Sequence, residues 1–470
     1  VRSITLAGAS ERGWDVVVAG SSFAAVFFAH ALPAGLDVLM IEKGGDVPHR
    51  DQVASGWGLP ETFVQRNTSP YEKAWIAFTL FGGNSNHWWG NAPRLHPDDF
   101  VLRSRFGVGE DWPIGYADLE PHWFRAETLM EVSGGGSDHV LPRHEPFPFP
   151  PHAPSRADVA LRASSDLWWA MPTGISNGGS RPMCCANGVC GVCPIDAKFT
   201  ILNGWPRLEH PRARVLLDTE VRAVEIAGGR ARGVRVRGRD GVEATIGAQT
   251  VGLGANGIFN AAILLRSDVR APALGRYLHE QAHQDVLVDT ATIRGFFGGT
   301  SETGHGYHFY HGIDRSSAGA VLLETVNAPA SIRREPGRWA NRIHFRLIAE
   351  DLPRAENRVT LEDDEPVIDW VGHDDYAYRG LARARNGLPG IIPDAIDRIE
   401  PGLYHASEAH IQGTHRMGRA PETSVTDDRM RVHGVPNLYV LGAGAFPACS
   451  PANPTLTIAA LSLRASETVG

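Results

Sequence analysis

Residues 14–44 read WDVVVAGSSFAAVFFAHALPAGLDVLMIEKG. The apolar run from Val16 to Ala19 reads as a strand, a turn of small residues follows, and a helical apolar pattern leads into a second apolar run ending at Glu42. This is a β-turn-α-β unit with an acid closing its second strand. In a dinucleotide-binding unit the turn seats a pyrophosphate on the helix N-terminus, and the acid takes the ribose hydroxyls. The GxGxxG positions hold Gly20, Ser22 and Ala25, so small residues replace two of the three glycines. An ordinary βαβ unit has the same outline; the spacing to Glu42 favours a nucleotide.

Downstream, FGGNSNHWWGNAPRLHPDDF (81–100) sets His87 between Asn86 and Trp88 after a Gly82-Gly83 pair suited to close backbone approach. Such an imidazole packs against, or attaches to, a flat cofactor, or is a plain buried His-Trp contact. DWPIGYADLEPHWFRAE (111–127) opens a helix with Asp118 as expected N-cap. The proline-rich LPRHEPFPFPPHAP (141–154) is an extended connector. A helix is expected after Ser155, ending near Trp168-Trp169.

MCCANGVCGVCPIDAKF (183–199) then places Cys184, Cys185, Cys190 and Cys193 within ten residues, with only Cys449 elsewhere. Clustered soft sulfur ligands suit an iron–sulfur cluster or Zn²⁺. A local disulfide or free buried thiols are the alternatives. Residues 212–254 read as strands with Gly-rich turns, and the last runs into Gly252, Gly254 and Gly257, followed by a helix from Ile258 to Leu265. This second glycine-bounded strand–helix junction implies that the nucleotide domain resumes there. From 285 to 400, strands such as RIHFRLIAE and a hairpin in ENRVTLEDDEPVIDW suggest an antiparallel sheet.

The last sixty residues place His410 beside a Gly413-Thr414 turn, and Asn453 at the mouth of an apolar helix, Leu456 to Leu463. A returning strand that joined these two side chains would make a proton-handling site. A surface His and a helix-capping Asn is the plainer reading.

A chain of 470 residues, 43% hydrophobic, has room for two or more domains. Its formal net charge of -8 argues against a nucleic-acid footprint. No run reaches the roughly 20 apolar residues of a membrane span. The N-terminus VRSITLAGASERGWD lacks a signal-peptide layout, which reads as cytoplasmic.

Taken together, DVVVAGSSFAA…IEKG, GGNSNHWWGNAPRLHPDDF, DWPIGYADLEPHW, the strand containing Val221, TVGLGANGIFNAAILLRS, ENRVTL, HIQGTHRMG and RVHGVPNLYVLGAGAFPACSPANPTLTIAAL resemble the glucose-methanol-choline (GMC) flavin oxidoreductases. The segments occur in family order from residue 15 onward. The nearest branch holds pyranose and glycoside oxidases and the large subunits of bacterial sugar dehydrogenases, which share GGxSxHW and NPTLTI.

The resemblance implies an α/β protein, α+β overall. A Rossmann-like FAD domain would comprise residues 1–110, 200–284 and 400–470. A substrate domain with a mostly antiparallel sheet would comprise 111–199 and 285–399. It implies FAD contacts at Gly20, Ser21, Ser22, Glu42, Gly83, Asn84, His87, Trp88, Val221, Gly254, Gly442, Ala443, Pro454 and Thr455. His410 takes the place of the family's base and Asn453 that of its orienting partner. A neutral imidazole suits removal of a hydroxyl proton, and an amide orients the hydroxyl without competing for that proton. His87 falls where pyranose oxidases bond FAD covalently, although related dehydrogenases have a His there without the bond. Some sugar dehydrogenases carry an iron–sulfur cluster on a CC…C…CP segment; here its last gap is one residue shorter.

The expected reaction is oxidation of a hydroxyl on a sugar, glycoside or aminosugar, an aminoglycoside among them. The electron acceptor would be O2 or a redox partner. The alternatives are a non-redox lyase of the same fold, cleaving hydroxynitriles, and an electron-transfer subunit.

Overall fold

The strand Trp14–Ala19 is covered on both faces, which is why its sequence is a continuous apolar run rather than an alternating one. It pairs in parallel with Val38–Ile41 on one side and with Glu243–Leu253 on the other. This is seen in a computed structural model that describes residues 1–469 except 57, 59, 137–138, 295–296 and 328–338. Beyond these three strands the parallel order continues to Ala213–Leu216 at one edge and Val435–Val440 at the other. Arg431–Val432 closes that second edge, and Thr219–Ala227 and Arg230–Gly238 extend the Glu243–Leu253 strand as an antiparallel flap. Three distant stretches of chain thus build one sheet. The helix Phe23–His30 lies over it with every residue from Phe23 to Ala29 buried. The C-terminal helix Thr455–Ser466 packs beside it.

A six-stranded sheet runs in the order Ile396–His405, Ala282–Thr290, Arg342–Ala349, Val321–Val326, Glu302–Phe309 and Trp168–Ala170, with antiparallel neighbours throughout. Strand periodicity of two gives it two unlike faces. Val286, Leu323, Phe345 and Leu347 point one way, into a core shared with Ala377 and Leu381 of the helix Asp375–Gly387. The alternate positions include a polar row, and register places His305, Glu324, Arg346 and Asp285 side by side across four strands. A third sheet contains the expected hairpin, Arg358–Glu362 with Glu365–Trp370, whose turn residues Asp363 and Asp364 have positive φ. The α/β class with a second, antiparallel sheet therefore holds. No helix among the described residues is long and apolar enough to cross a membrane.

Three local expectations are corrected. The helix Tyr116–Met130 is capped at Gly115; Asp118 sits three residues in and accepts from Gly115 N–H at 2.8 Å. The helix after Ser155 ends at Ser164, because Trp168–Ala170 joins the antiparallel sheet against Gly304–Gly306. The run 213–226 is two strands, broken where Asp218 takes a positive φ.

Candidate active site

The parallel strands end at one place. Gly20, Glu42, Gly254 and Gly442 each follow the carboxyl end of a strand and line a cavity of about 490 Å³. Ligands bind in this position in open α/β sheets. Every residue singled out from the sequence for cofactor contact lines this cavity, as do His410 and Asn453. Its far wall comes from the antiparallel sheet: His283, Glu302, Glu324 and Arg346.

At the nucleotide end the cradle is made of backbone. Gly20 has φ +91°, and a Cβ there would meet Gly254 O at 2.5 Å. A Cβ on Gly254 would lie 2.9 Å from Cβ of Ala25, so the missing side chain at 254 is what makes room for alanine at the third fingerprint position. Ser22 is the N-cap of the helix Phe23–His30 but makes no side-chain cap bond. The positive end of that helix stays open to an anion. Ser21 Oγ donates to Glu42 Oε2 at 2.6 Å and accepts from Gly82 N–H at 2.9 Å, tying the two loops together. Burial raises Glu42 to about 7, so hydroxyl partners such as those of a ribose offset part of its desolvation. The glycine cradle, open helix end and acid fit the adenosine diphosphate half of FAD.

The 81–100 loop forms one wall. His87 stacks on Phe78 at 3.7 Å between centroids, with 11° between planes. Asn84 lines the cavity while its amide is held by the chain: Oδ1 accepts from Phe78 N–H at 2.9 Å and Nδ2 donates to Ile76 O at 3.0 Å. It shapes the wall. Trp88 donates to Phe199 O at 2.7 Å and meets Phe23 edge-on.

At the other end His410 stands in a defined tautomer. Gln281 Nε2 donates to Ser450 O at 2.8 Å and Ala452 O at 3.2 Å, which turns Oε1 towards His410. The 3.1 Å contact from Oε1 to His410 Nδ1 therefore requires a proton on Nδ1 and leaves Nε2 with its lone pair. Burial lowers the imidazole pKa, outweighing the opposing pull of Glu408 and Glu280. Neutral at pH 7 and with Nε2 unprotonated, the ring is a base. Its loop is clamped from beneath: Glu280 Oε1 accepts from His410 N–H at 2.9 Å and Ser407 Oγ at 3.0 Å, and its other oxygen pairs with buried Lys73. Asn453 is not a cap. The N-cap of the last helix is Pro454, and the buried Asn453 Oδ1 meets no hydrogen-bond donor among the described residues. An orphaned buried oxygen in the cavity that His410 also lines fits a site built for a polar ligand.

The metal reading of Cys184, Cys185, Cys190 and Cys193 is not supported. All are free thiols, and none is joined in a disulfide. Among the described residues the one group of three or more His, Cys, Asp or Glu with ligand atoms within 4.8 Å of each other is His283, Asp285 and His405. Positive φ at Ala186 and Gly188 turns the loop between the thiols. Cys190 packs with Ile175 and Ala197, lies 2.9 Å from Ser301 Oγ, and is raised by burial to about 12. A thiol so placed stays protonated and serves as a small apolar side chain.

Gln281, Glu280, Lys73, Glu302 and Glu324 were not singled out from the sequence. The signal for the last is a carboxylate in the otherwise apolar strand VLLETV, where charge is tolerated only for a reason.

The family pattern described as GMC oxidoreductase matches residues 393–462. The chain is 30% identical to paromamine 6'-oxidase of Streptomyces fradiae, covering 98% of this chain and 92% of that one. It is 26% identical to the fructose dehydrogenase large subunit of Gluconobacter japonicus, over 97% of both. Its fold matches an FAD-dependent oxidoreductase from Chaetomium thermophilum with a TM-score of 0.69 at 14% identity, covering 97% of this chain and 98% of that one. With a relative 30% identical over nearly the whole chain, the chain belongs to the GMC oxidoreductase family and is a flavin-dependent alcohol oxidoreductase.

Proposed function

We propose that this enzyme oxidises a hydroxyl group of a carbohydrate, aminosugars included, with His410 as base and Asn453 as its orienting partner. The observation that carries the reading is the tautomer of His410, which Gln281 holds with Nε2 free. Bound FAD supplies the two-electron acceptor. His410 Nε2 takes the hydroxyl proton as the carbon–hydrogen bond breaks, and burial keeps the ring neutral beforehand. Asn453 Oδ1, otherwise unpaired, accepts a hydrogen bond from the ligand and fixes which carbon faces the acceptor.

In this reading the parallel sheet carries FAD and the antiparallel sheet covers the substrate. The boundaries expected at 284 and 400 lie within the strands Ala282–Thr290 and Ile396–His405 of the antiparallel sheet. Sugar and aminosugar substrates are supported by the relatives, one of which is named for paromamine and another for fructose. The final acceptor, O2 or a redox partner, is decided by comparing turnover in oxygen with turnover in a dye.

The test is anaerobic mixing of the FAD-loaded enzyme with a panel of sugars and aminosugars. Loss of the oxidised flavin band is expected with at least one of them, and His410→Ala is expected to slow it by at least about 100-fold while retaining flavin. Bleaching at a near-normal rate in that variant would overturn the assignment.

A further inference from the structure

We propose that Glu302 and Glu324 form a subsite for a primary ammonium group in the cavity wall facing His410 and Asn453, so that the preferred substrate is an amine-bearing sugar. The inference rests on the oxidation reading for its substrate class, although its own test is one of binding.

Both carboxylates are almost fully buried, at 3% and 1% exposure, and both line the cavity. The Asn91 amide nitrogen reaches Glu302 Oε2 at 2.7 Å and Glu324 Oε1 at 3.3 Å, which holds the two side chains side by side. His305 Nε2 lies 3.3 Å from the same Glu324 oxygen. The remaining oxygens, Glu302 Oε1 and Glu324 Oε2, meet no donor among the described residues. The orphaned Asn453 Oδ1, in a side chain more than nine-tenths buried, faces the same cavity. The two carboxylates leave acceptors at one wall of this cavity, and an ammonium carries three donors and no acceptor.

Counting charge sharpens the argument. Arg346 makes a two-pronged contact with Asp285 at 3.0 and 3.4 Å, and His283 pairs with Glu408. Asp285 also takes His344, and Glu408 also faces Arg346 at 4.0 Å, while neither Glu302 nor Glu324 has an arginine or lysine within ion-pair distance among the described residues. At the nucleotide end, Lys43 and Arg266 are likewise paired, with Glu61 and Asp364. Burial, and for Glu302 the proximity of Glu324, raise both acids to about 8. The empty pair therefore holds protons that a bound ammonium replaces. An ammonium supplies a charge for the pair once those protons leave, which a neutral hydroxyl cannot do, so the site favours the amine.

Equilibrium binding tests this without relying on turnover. Calorimetric titration of the FAD-loaded enzyme would compare glucosamine with glucose, and methyl glucosaminide with methyl glucoside. Wild type is expected to bind the amine about 10- to 100-fold more tightly, the scale of one charge-assisted hydrogen bond. Glu302→Gln and Glu324→Gln are each expected to bring the preference to within about threefold. Equal affinity for amine and neutral sugar in wild type would refute the subsite, as would a preference that survives both substitutions. Should either variant fail to fold, the other variant and the wild-type ratio still decide. An amine preference without flavin bleaching by any sugar would instead overturn the oxidation reading and leave the subsite standing.

Discussion

Replacing Gln281 separates the tautomer of His410 from everything else that this side chain does. Gln281 is fully buried and makes contacts of two kinds: Nε2 donates to Ser450 O and Ala452 O, and Oε1 accepts from His410 Nδ1 and from Gln412 Nε2. Gln281→Leu and Gln281→Glu both lose the donors, so both bear the cost of two unpaired buried carbonyls, about 1–3 kcal/mol each. Only the Glu variant keeps an acceptor facing Nδ1. In the Leu variant the proton is no longer held on Nδ1, and the productive tautomer loses the net worth of one hydrogen bond, about 1–1.5 kcal/mol. At 1.36 kcal/mol per decade this is roughly a 5- to 10-fold loss of rate.

The Glu variant has a second signature. A carboxylate beside the ring favours its protonated form, so the acid limb of the kcat/KM profile moves to higher pH. Above that limb, anaerobic stopped-flow measurement of flavin reduction at saturating sugar should show the Leu variant about 5- to 10-fold slower than the Glu variant. Equal rates there, or a wild-type rate in the Leu variant, would show that Gln281 does not set the base.

Other consequences are tested more simply. Gly20→Ala forces a side chain into a positive-φ position 2.5 Å from Gly254 O. Strain and overlap cost about 2–5 kcal/mol together, and the expected outcome is FAD released on gel filtration; retention at wild-type stoichiometry would contradict the cradle. Thiol titration of the native enzyme should modify exposed Cys185 rapidly and leave buried Cys190 and Cys449 unreacted until denaturation; prompt loss of Cys190 would argue against its packing role. Glu302 and Glu324 keep protons up to about pH 8 in the fold, but lose them near 4.3 in the unfolded chain. The folded state binds more protons between those values, so these groups make stability fall as pH rises from about 5 to 8. His305, lowered to about 3 by burial, opposes this between about pH 5 and 6.5, so comparison of a variant with wild type is what isolates the two acids. Glu324→Gln should raise Tm at pH 8 more than at pH 5, and an unchanged difference would count against the raised pKa values.

The cofactor half of the site could be read from the sequence because its constraints are local and belong to the backbone. Gly20, Gly254 and Gly442 each end a parallel strand, and a glycine at such an end announces close approach whatever surrounds it. Even the two eroded fingerprint positions are intelligible, since Ala25 is accommodated by Gly254, more than two hundred residues away. The cysteines show the opposite case. Their spacing is local, but the positive-φ turns at Ala186 and Gly188 decide where the sulfurs point, and the spacing does not contain those turns. The substrate wall was hidden for a third reason. Glu302, Glu324 and Arg346 meet through strand register, and from one chain alone the face that a residue such as Glu324 presents depends on pairings not written nearby.

One short segment joins the two halves. Glu280 clamps the backbone of the His410 loop and Gln281 sets the tautomer of the ring. His283 and Asp285 neutralise Glu408 and Arg346. Glu408 lies two residues before the base, so the ion pair that leaves Glu302 and Glu324 without cations also fixes the loop that carries His410. Breaking that pair should therefore disturb base and subsite together. His283→Gln removes the cation that, against the opposing effect of burial, helps hold Glu408 near 2, and leaves its buried carboxylate with only the more distant Arg346, at 4.0 Å. Flavin reduction and amine preference should both fall in that variant. If one fell while the other stayed at its wild-type value, base and subsite would be independent, and the coupling argued from Glu280 to Asp285 would be wrong.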